Sequence, residues 1–407
     1  MRNKEKGITL IALIITIIVM LILVGVVVTV VIQSNLLGTA KTAGDKYKTA
    51  YEDESNMSEV TINGEKYASI EDYLESIKPL PEGAGKRFTE TKEYNDGTKT
   101  AWIPAGFTVS GINSETKVDG GLVIYDIPEN EIENVKWDGT EKTKYNQFVW
   151  IPVAVNKATD TETEIASFKR NVWQDNARVT DNTQSSTSFP SSSYDWSKYT
   201  EPNATNDTND KTGIASQIEN LTKSIYKYGG FYIGRYEAGS EIPRTSASKT
   251  EVTPIGIKQD MYPYIWVKWG DGKDTIGTVG AVALSNSLYN SSNYGTTSML
   301  CTGACWDSML DFIKDEEHNV TNSTKWGNYN DSETYKIYRG SIYSNSDWSS
   351  VDVTNGTEIT QNQSILLTTG ATERNSSKNI YDVAGNCWEW TTESYSSDIR
   401  VYRGRRF

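Results

Sequence analysis

Twenty-five consecutive uncharged, mostly aliphatic residues, Ile8 to Ile32, constrain this chain more than any other feature. As an α-helix at about 1.5 Å per residue, such a run is roughly 37 Å long and can cross the ~30 Å hydrocarbon core of a bilayer. Arg2, Lys4 and Lys6 precede it, so the positive-inside rule leaves the N-terminus cytoplasmic and everything after Ile32 outside. A cleavable secretory signal fits less well, because its apolar core runs about 7 to 15 residues and ends at a small-residue cleavage site. The stretch that follows, up to Glu59, has no Pro and is helix-tolerant, so the same helix is expected to continue as a stalk.

The N-terminal residues KGITLIALIITIIVMLILVGVVV resemble the leader and first helix of type IV prepilins and pseudopilins. The resemblance implies a leader over residues 1–7, cleavage by a prepilin peptidase between Gly7 and Ile8, and methylation of the new first residue, Ile8. Implied partners are the membrane and other pilin-like subunits. One departure stands out: where the family has Glu at the fifth mature position, this chain has Ala12.

Beyond residue 60 the chain is polar, and the whole sequence is only 37% hydrophobic with a net charge of −13. No basic run interrupts that acidity, which argues against a nucleic-acid partner, since phosphate binding needs clustered Lys and Arg. The single histidine rules out a three-histidine metal site within one chain, and three cysteines are too few for a disulfide scaffold. Residues 61–155 alternate short β-rich runs with turn residues, as in GGLVIYDI and NQFVWIPVAV. Residues 156–210, rich in Asn, Ser, Thr and Asp, read as a long surface insertion. Within it Glu201-Pro202-Asn203 matches the calcium triplet of C-type lectins, without that family's Trp-Asn-Asp partner. Ile214, Ile218, Leu221 and Ile225 then recur at helical spacing before Gly229 and Gly230.

From Phe231 onward several motifs follow in a fixed order: FYIGRYE and YPYIWVKW, each read as a strand, then LCTGACWDSML, KWGN, GNCWEW and RVYRG. Thr302 is placed to cap a helix that carries Trp306, Met309, Leu310 and Ile313 on one face. The order resembles the formylglycine-generating enzyme and sulfatase-modifying-factor family, a variant of the C-type lectin fold. The expected fold class is therefore α+β: a long N-terminal transmembrane and stalk helix over residues 8–60, then a lectin-like mixed domain with extensive loops, its family-like part spanning 211–407.

Asp382 and Glu389 flank Gly385 at a spacing that lets acids and backbone oxygens converge on a hard cation. The resemblance implies a structural calcium there, held by the side chains of Asp382 and Glu389 and the carbonyls of Gly385 and Cys387. Trp388 and Trp390, at i and i+2, share a strand face and read as core. The cysteine pair with which the family oxidises its substrate follows the Arg-Gly-Gly-Ser motif, and this sequence stops at RGRRF. Cys301 and Cys305 align with a helix entry and read as small semi-buried residues, so no catalysis is expected. Non-catalytic relatives of this fold, some diversified by retroelements, display a variable surface, which here falls on Tyr395, Ser396, Ser397, Asp398 and Tyr402. The combined expectation is a single-pass cell-membrane protein, mostly extracellular, that binds an extracellular protein or glycan. The alternatives are a structural minor pilin or pseudopilin, and a cysteine oxidase.

Overall fold

The computed structural model describes residues 60–62, 65–67, 70, 73–74, 77–137, 141–179, 201, 213–244, 254–270, 280–289, 294–337, 340–344, 350–353, 356–361, 365–396 and 399–404. The chain divides into two compact units, Met1–Ile77 and Lys78–Phe407.

In the first unit β1 (Val60–Ile62) pairs antiparallel with β2 (Glu65–Tyr67), Val60 facing Tyr67. Val60, the one described residue of the expected helix over 8–60, is thus in a strand, while the rest of the hairpin falls in the segment read as β-rich. Val60, Thr61 and Ile62 are β-branched, and the Asn63-Gly64 that follows is the strongest short hairpin signal, so the backbone there turns back as a hairpin. The expected transmembrane segment, and with it the single-pass membrane location, is corrected too. Among the described residues no helix is long and apolar enough to cross a membrane. Residues 8–32, and Gly7 and Ile8 at the expected cleavage point, lie outside the described residues. The longest described helix, α1 (Ile214–Tyr228), has 15 residues, short of the ~20 a bilayer requires. It is amphipathic, burying Ile214 and Ile225 while its Lys223–Glu219 ion pair stays exposed.

The second unit is built mainly of small antiparallel sheets. β3 (Lys92–Asn95) and β4 (Thr100–Ile103) form a hairpin. β5 (Thr108–Val109), β6 (Val123–Tyr125) and β7 (Gln147–Pro152) then lie side by side. A second hairpin, β8 (Val172–Gln174) with β9 (Ala177–Val179), precedes α1. β10 (Gly230–Gly234) completes a four-stranded sheet in the order β10-β7-β6-β5, with Phe231 opposite Ile151 and Val123 opposite Val149. Short elements follow: β11 (Gly239–Ser240), β12 (Tyr262–Pro263), α2 (Ala281–Leu288) and α3 (Gly303–Ile313). The remainder is β13 (Tyr335–Ile337), β14 (Ser341–Ser344), β15 (Ser350–Asp352), β16 (Thr357–Ile359), β17 (Ile365–Leu367), β18 (Ser376–Ser377), β19 (Ile380–Tyr381), β20 (Glu389–Ser396) and β21 (Ile399–Arg403).

Both faces of the four-stranded sheet are covered, which is why its central strand reads as an unbroken apolar run. On one face Val123, Tyr125, Val149 and Ile151 pack with Trp306, Met309 and Ile313 of α3 and Ile225 of α1. On the other, Ile124 and Trp150 join Tyr94, Phe107 and Val109. Alternate residues of one strand thus serve two cores. α1 ends at Gly229, whose φ of 76° is the left-handed cap conformation, and the chain passes directly into β10.

Candidate functional site

Strand β10 delivers Arg235, Tyr236 and Glu237 to one end of the sheet. Arg235 is fixed in the core by a 2.7 Å ion pair to Glu115 and by bonds to Tyr125 Oη (3.2 Å) and Gln147 Oε1 (3.0 Å). Tyr236 packs on Tyr381 at 4.9 Å between ring centres. Glu237, next in the chain, is buried and therefore aims its carboxylate at a fixed target.

That target is the turn Asp382–Glu389. Asn386 Nδ2 donates to Glu237 Oε2 at 2.7 Å, and the Cys387 amide donates to Oε1 at 3.0 Å. Asn386 is fully buried. Its other amide hydrogen goes to the Leu367 carbonyl (3.2 Å), and its Oδ1 accepts from the Leu367 amide (2.9 Å) and from Asn328 Nδ2 (3.0 Å). The Asn328 and Asn386 motifs therefore interlock, with backbone bonds Asn328 N–H to Ala384 O and Asn386 N–H to Asn328 O, both 2.8 Å. The approach needs Gly385. Its φ is 95°, and a Cβ there would lie 2.1 Å from the Asn328 carbonyl oxygen.

Of the four expected calcium ligands, the two that act through side chains are Asp382 and Glu389. Asp382, buried, accepts from the Gly370 amide at 2.6 Å through Oδ2. Glu389 lines an adjacent cavity together with Cys387. Among the described residues no group of three or more His, Cys, Asp or Glu side chains could hold a metal ion. The carboxyls nevertheless crowd one another. Burial, then the nearby Asp382, pushes Glu389 up to about 8; burial, Asp382 and Glu389 together push Glu237 well above the carboxylate range.

The cavity has a volume of about 670 Å³, within the ~300–1,000 Å³ typical of small-molecule sites. Its walls include Met309 and Val383 of the core beneath α3, together with Ile257, Leu284 and Leu300. Its rim is aromatic. Trp388 is 49% exposed and stacks on Tyr402 with ring centres 4.7 Å apart. Trp390 meets the same ring edge-on at 5.6 Å and donates from Nε1 to the Val267 carbonyl at 3.0 Å. The reading of both tryptophans as core thus holds for Trp390 alone. Opposite stands Trp266, 48% exposed with φ 58°, a costly conformation for a bulky residue, on the order of 1–3 kcal/mol. Buried Arg244 holds it there by donating to the Ile265 (3.0 Å) and Trp266 (3.2 Å) carbonyls. For that reason YPYIWVKW is not one strand, and only Tyr262–Pro263 pairs.

Of the five residues expected to bind ligand, Tyr402 does not itself line the cavity but backs two residues that do, Trp388 and Trp390. Tyr395 and Ser396 fall in β20, while Ser397 and Asp398 lie outside the described residues. Sequence reasoning missed Tyr264, Trp266 and Cys301 as cavity residues; Trp266 leaves no sequence signal, because its exposure depends on a left-handed backbone that Arg244 imposes. The cysteines are all free. Burial raises Cys305 to about 12, while Cys301 and Cys387, which face the cavity, are pushed well above the usual thiol range by burial and neighbouring acids.

Glu201, read from sequence as part of a calcium triplet, instead meets the start of α3: its carboxylate accepts from the Gly303 amide and from Thr392 Oγ, each at 2.5 Å. Beside it lies an ionic cluster in which Glu393 receives Arg170 Nε (2.7 Å) and Arg403 Nη2 (2.6 Å), and Asp307 receives Arg170 Nη1 (3.3 Å). Set against known proteins, the chain matches no family model, no curated protein sequence and no solved structure.

Proposed function

We propose that this chain is a non-catalytic ligand-binding protein whose binding site is the cavity beside the Asp382–Glu389 turn. The observation that carries this reading is the cavity itself, about 670 Å³ and rimmed by two tryptophans left half in water. Exposed tryptophan costs solvation, and a rim of such rings around an apolar hollow is the usual form of a recognition site. A non-catalytic role is supported by the thiols, since a cysteine nucleophile needs a lowered pKa and those facing the cavity have raised ones.

The expected calcium belongs to the same proposal. A divalent cation at the turn would offset the mutual repulsion of Glu237, Asp382 and Glu389. The ligand itself, protein or glycan in the sequence reading, is approached through the chemistry of the cavity.

Titration with a neutral solvatochromic dye such as Prodan tests the reading. The dye is expected to bind one to one with a blue-shifted emission, and Trp388→Ala is expected to weaken binding about tenfold while leaving the circular dichroism unchanged. Unsaturable, linear uptake would refute the site. The same titration with calcium or EDTA decides the cofactor: a rise in Tm with millimolar calcium but not magnesium supports it, and no rise removes it. Failure of a Cys-x-Pro-x-Arg peptide to gain an aldehyde in the presence of copper separates binder from oxidase.

A further inference from the structure

The lining of the cavity has a lopsided charge inventory. Two carboxyl residues, Glu237 and Glu389, and two thiols, Cys301 and Cys387, line it, and among the described residues no Lys, Arg or His does. The guanidiniums beside the lining are engaged elsewhere: Arg244, 5.0 Å from the Tyr264 ring centre, donates to backbone carbonyls, and Arg235, 5.6 Å from the Tyr236 and Tyr381 ring centres, is ion-paired to Glu115. The chain as a whole carries −13, a field of the same sign. An anionic ligand would meet these acids with no cationic partner in the described lining, whereas a cation would draw the protons off them, so the lining favours a cation over a fatty acid, nucleotide or phosphate.

The aromatic rim adds an independent preference. Indole faces attract cations more strongly than any other side-chain ring, most of all where water is displaced. Trp266 and Trp388 present half-exposed rings at the mouth. The molecule already uses such contacts nearby, with the Arg400 guanidinium 4.0 Å from the centre of the Trp269 ring.

Building on the binding reading above, we infer that the cavity takes a hydrophobic organic cation, its apolar body against Leu284, Leu300 and Met309 and its ammonium group among the tryptophan faces and the two carboxyls. The shared chemistry is an alkyl- or arylammonium, supplied either by a free amine or by a lysine side chain of a peptide.

Calorimetry on the unaltered chain, in EDTA so that no divalent cation competes for Glu389, compares 3-phenylpropylamine with its near-isosteres 3-phenylpropan-1-ol and 3-phenylpropanoate. The amine is expected to bind at least tenfold more tightly than the alcohol, and the carboxylate not at all. Glu389→Gln is expected to narrow the preference for the amine while leaving the affinity for the alcohol intact. An acetylated hexapeptide with a central lysine forms a further arm: tighter binding than the amine assigns the source to a peptide, weaker binding to a free amine. Equal binding of amine and alcohol, or preference for the carboxylate, would overturn the inference and leave the binding site standing. Absence of binding by all of the small probes would overturn both.

Discussion

Glu201 shows how much a single side chain can be altered by its surroundings. Burial, then the charge of Glu393, raises its carboxyl from an ordinary 4.5 to about 7. A carboxyl whose folded value lies above its unfolded value holds its proton more tightly in the folded state. Its contribution to stability is therefore full below about pH 4.5 and is lost as pH rises through about 7. Glu201→Gln cannot titrate, so the wild type is expected to lose stability relative to the variant across that window, measured by urea unfolding at several pH values. A difference that stays flat from pH 4 to 8 would contradict the burial of the group. None of this was legible in the sequence, where Glu201 sits in a low-complexity polar stretch. Its partners Gly303 and Thr392 lie 102 and 191 residues away.

Single elements were the most legible part of the chain, because their signals are local. Thr302 caps α3 as its position implies, its side chain accepting from the Cys305 amide at 3.0 Å. The apolar face read at Trp306, Met309 and Ile313 is buried against the sheet. Thr302→Ala is expected to cost about 1 kcal/mol, readable as a lower urea midpoint with an unchanged m-value, whereas Thr302→Ser should cost much less. The glycine stop at Gly229 and the strand β10 were equally readable. The aromatic run from Tyr262 to Trp269 was not. Arg244 holds Trp266 in a left-handed backbone, and Trp269 Nε1 bonds the distant Thr391 carbonyl at 2.9 Å; these long-range partners override the strand propensity of the run.

On the scale of the whole molecule, the ordering of motifs was legible but not what they form together. Glu237, Asn328 and Asn386 are separate signals along the chain and one hydrogen-bonded knot in space. The N-terminal expectation is corrected only as far as the described residues reach, among which no helix is long and apolar enough to cross a membrane. A long aliphatic run dominates a hydropathy reading, whereas the first described residues after it, Val60–Tyr67, obey turn chemistry and form a hairpin. Because Asn386 satisfies four separate bonds inside the knot, Asn386→Ala leaves several buried groups without partners. A loss of roughly 3 kcal/mol or more is expected, seen as a large fall in Tm; a shift of under about 1 kcal/mol would mean that water replaces the amide.

The interlocked asparagines also set a timetable. Asn386 follows Asn328 by 58 residues and Glu237 by 149. At roughly 5–20 residues per second, a ribosome delivers the second asparagine on the order of 7–30 s after the acid it will clasp. Until then a carboxyl destined for the interior remains in water and the sheet end beside it stays open. Newly made chains therefore finish this part of the fold late, and chaperones have their longest access at the end of the molecule that holds the cavity.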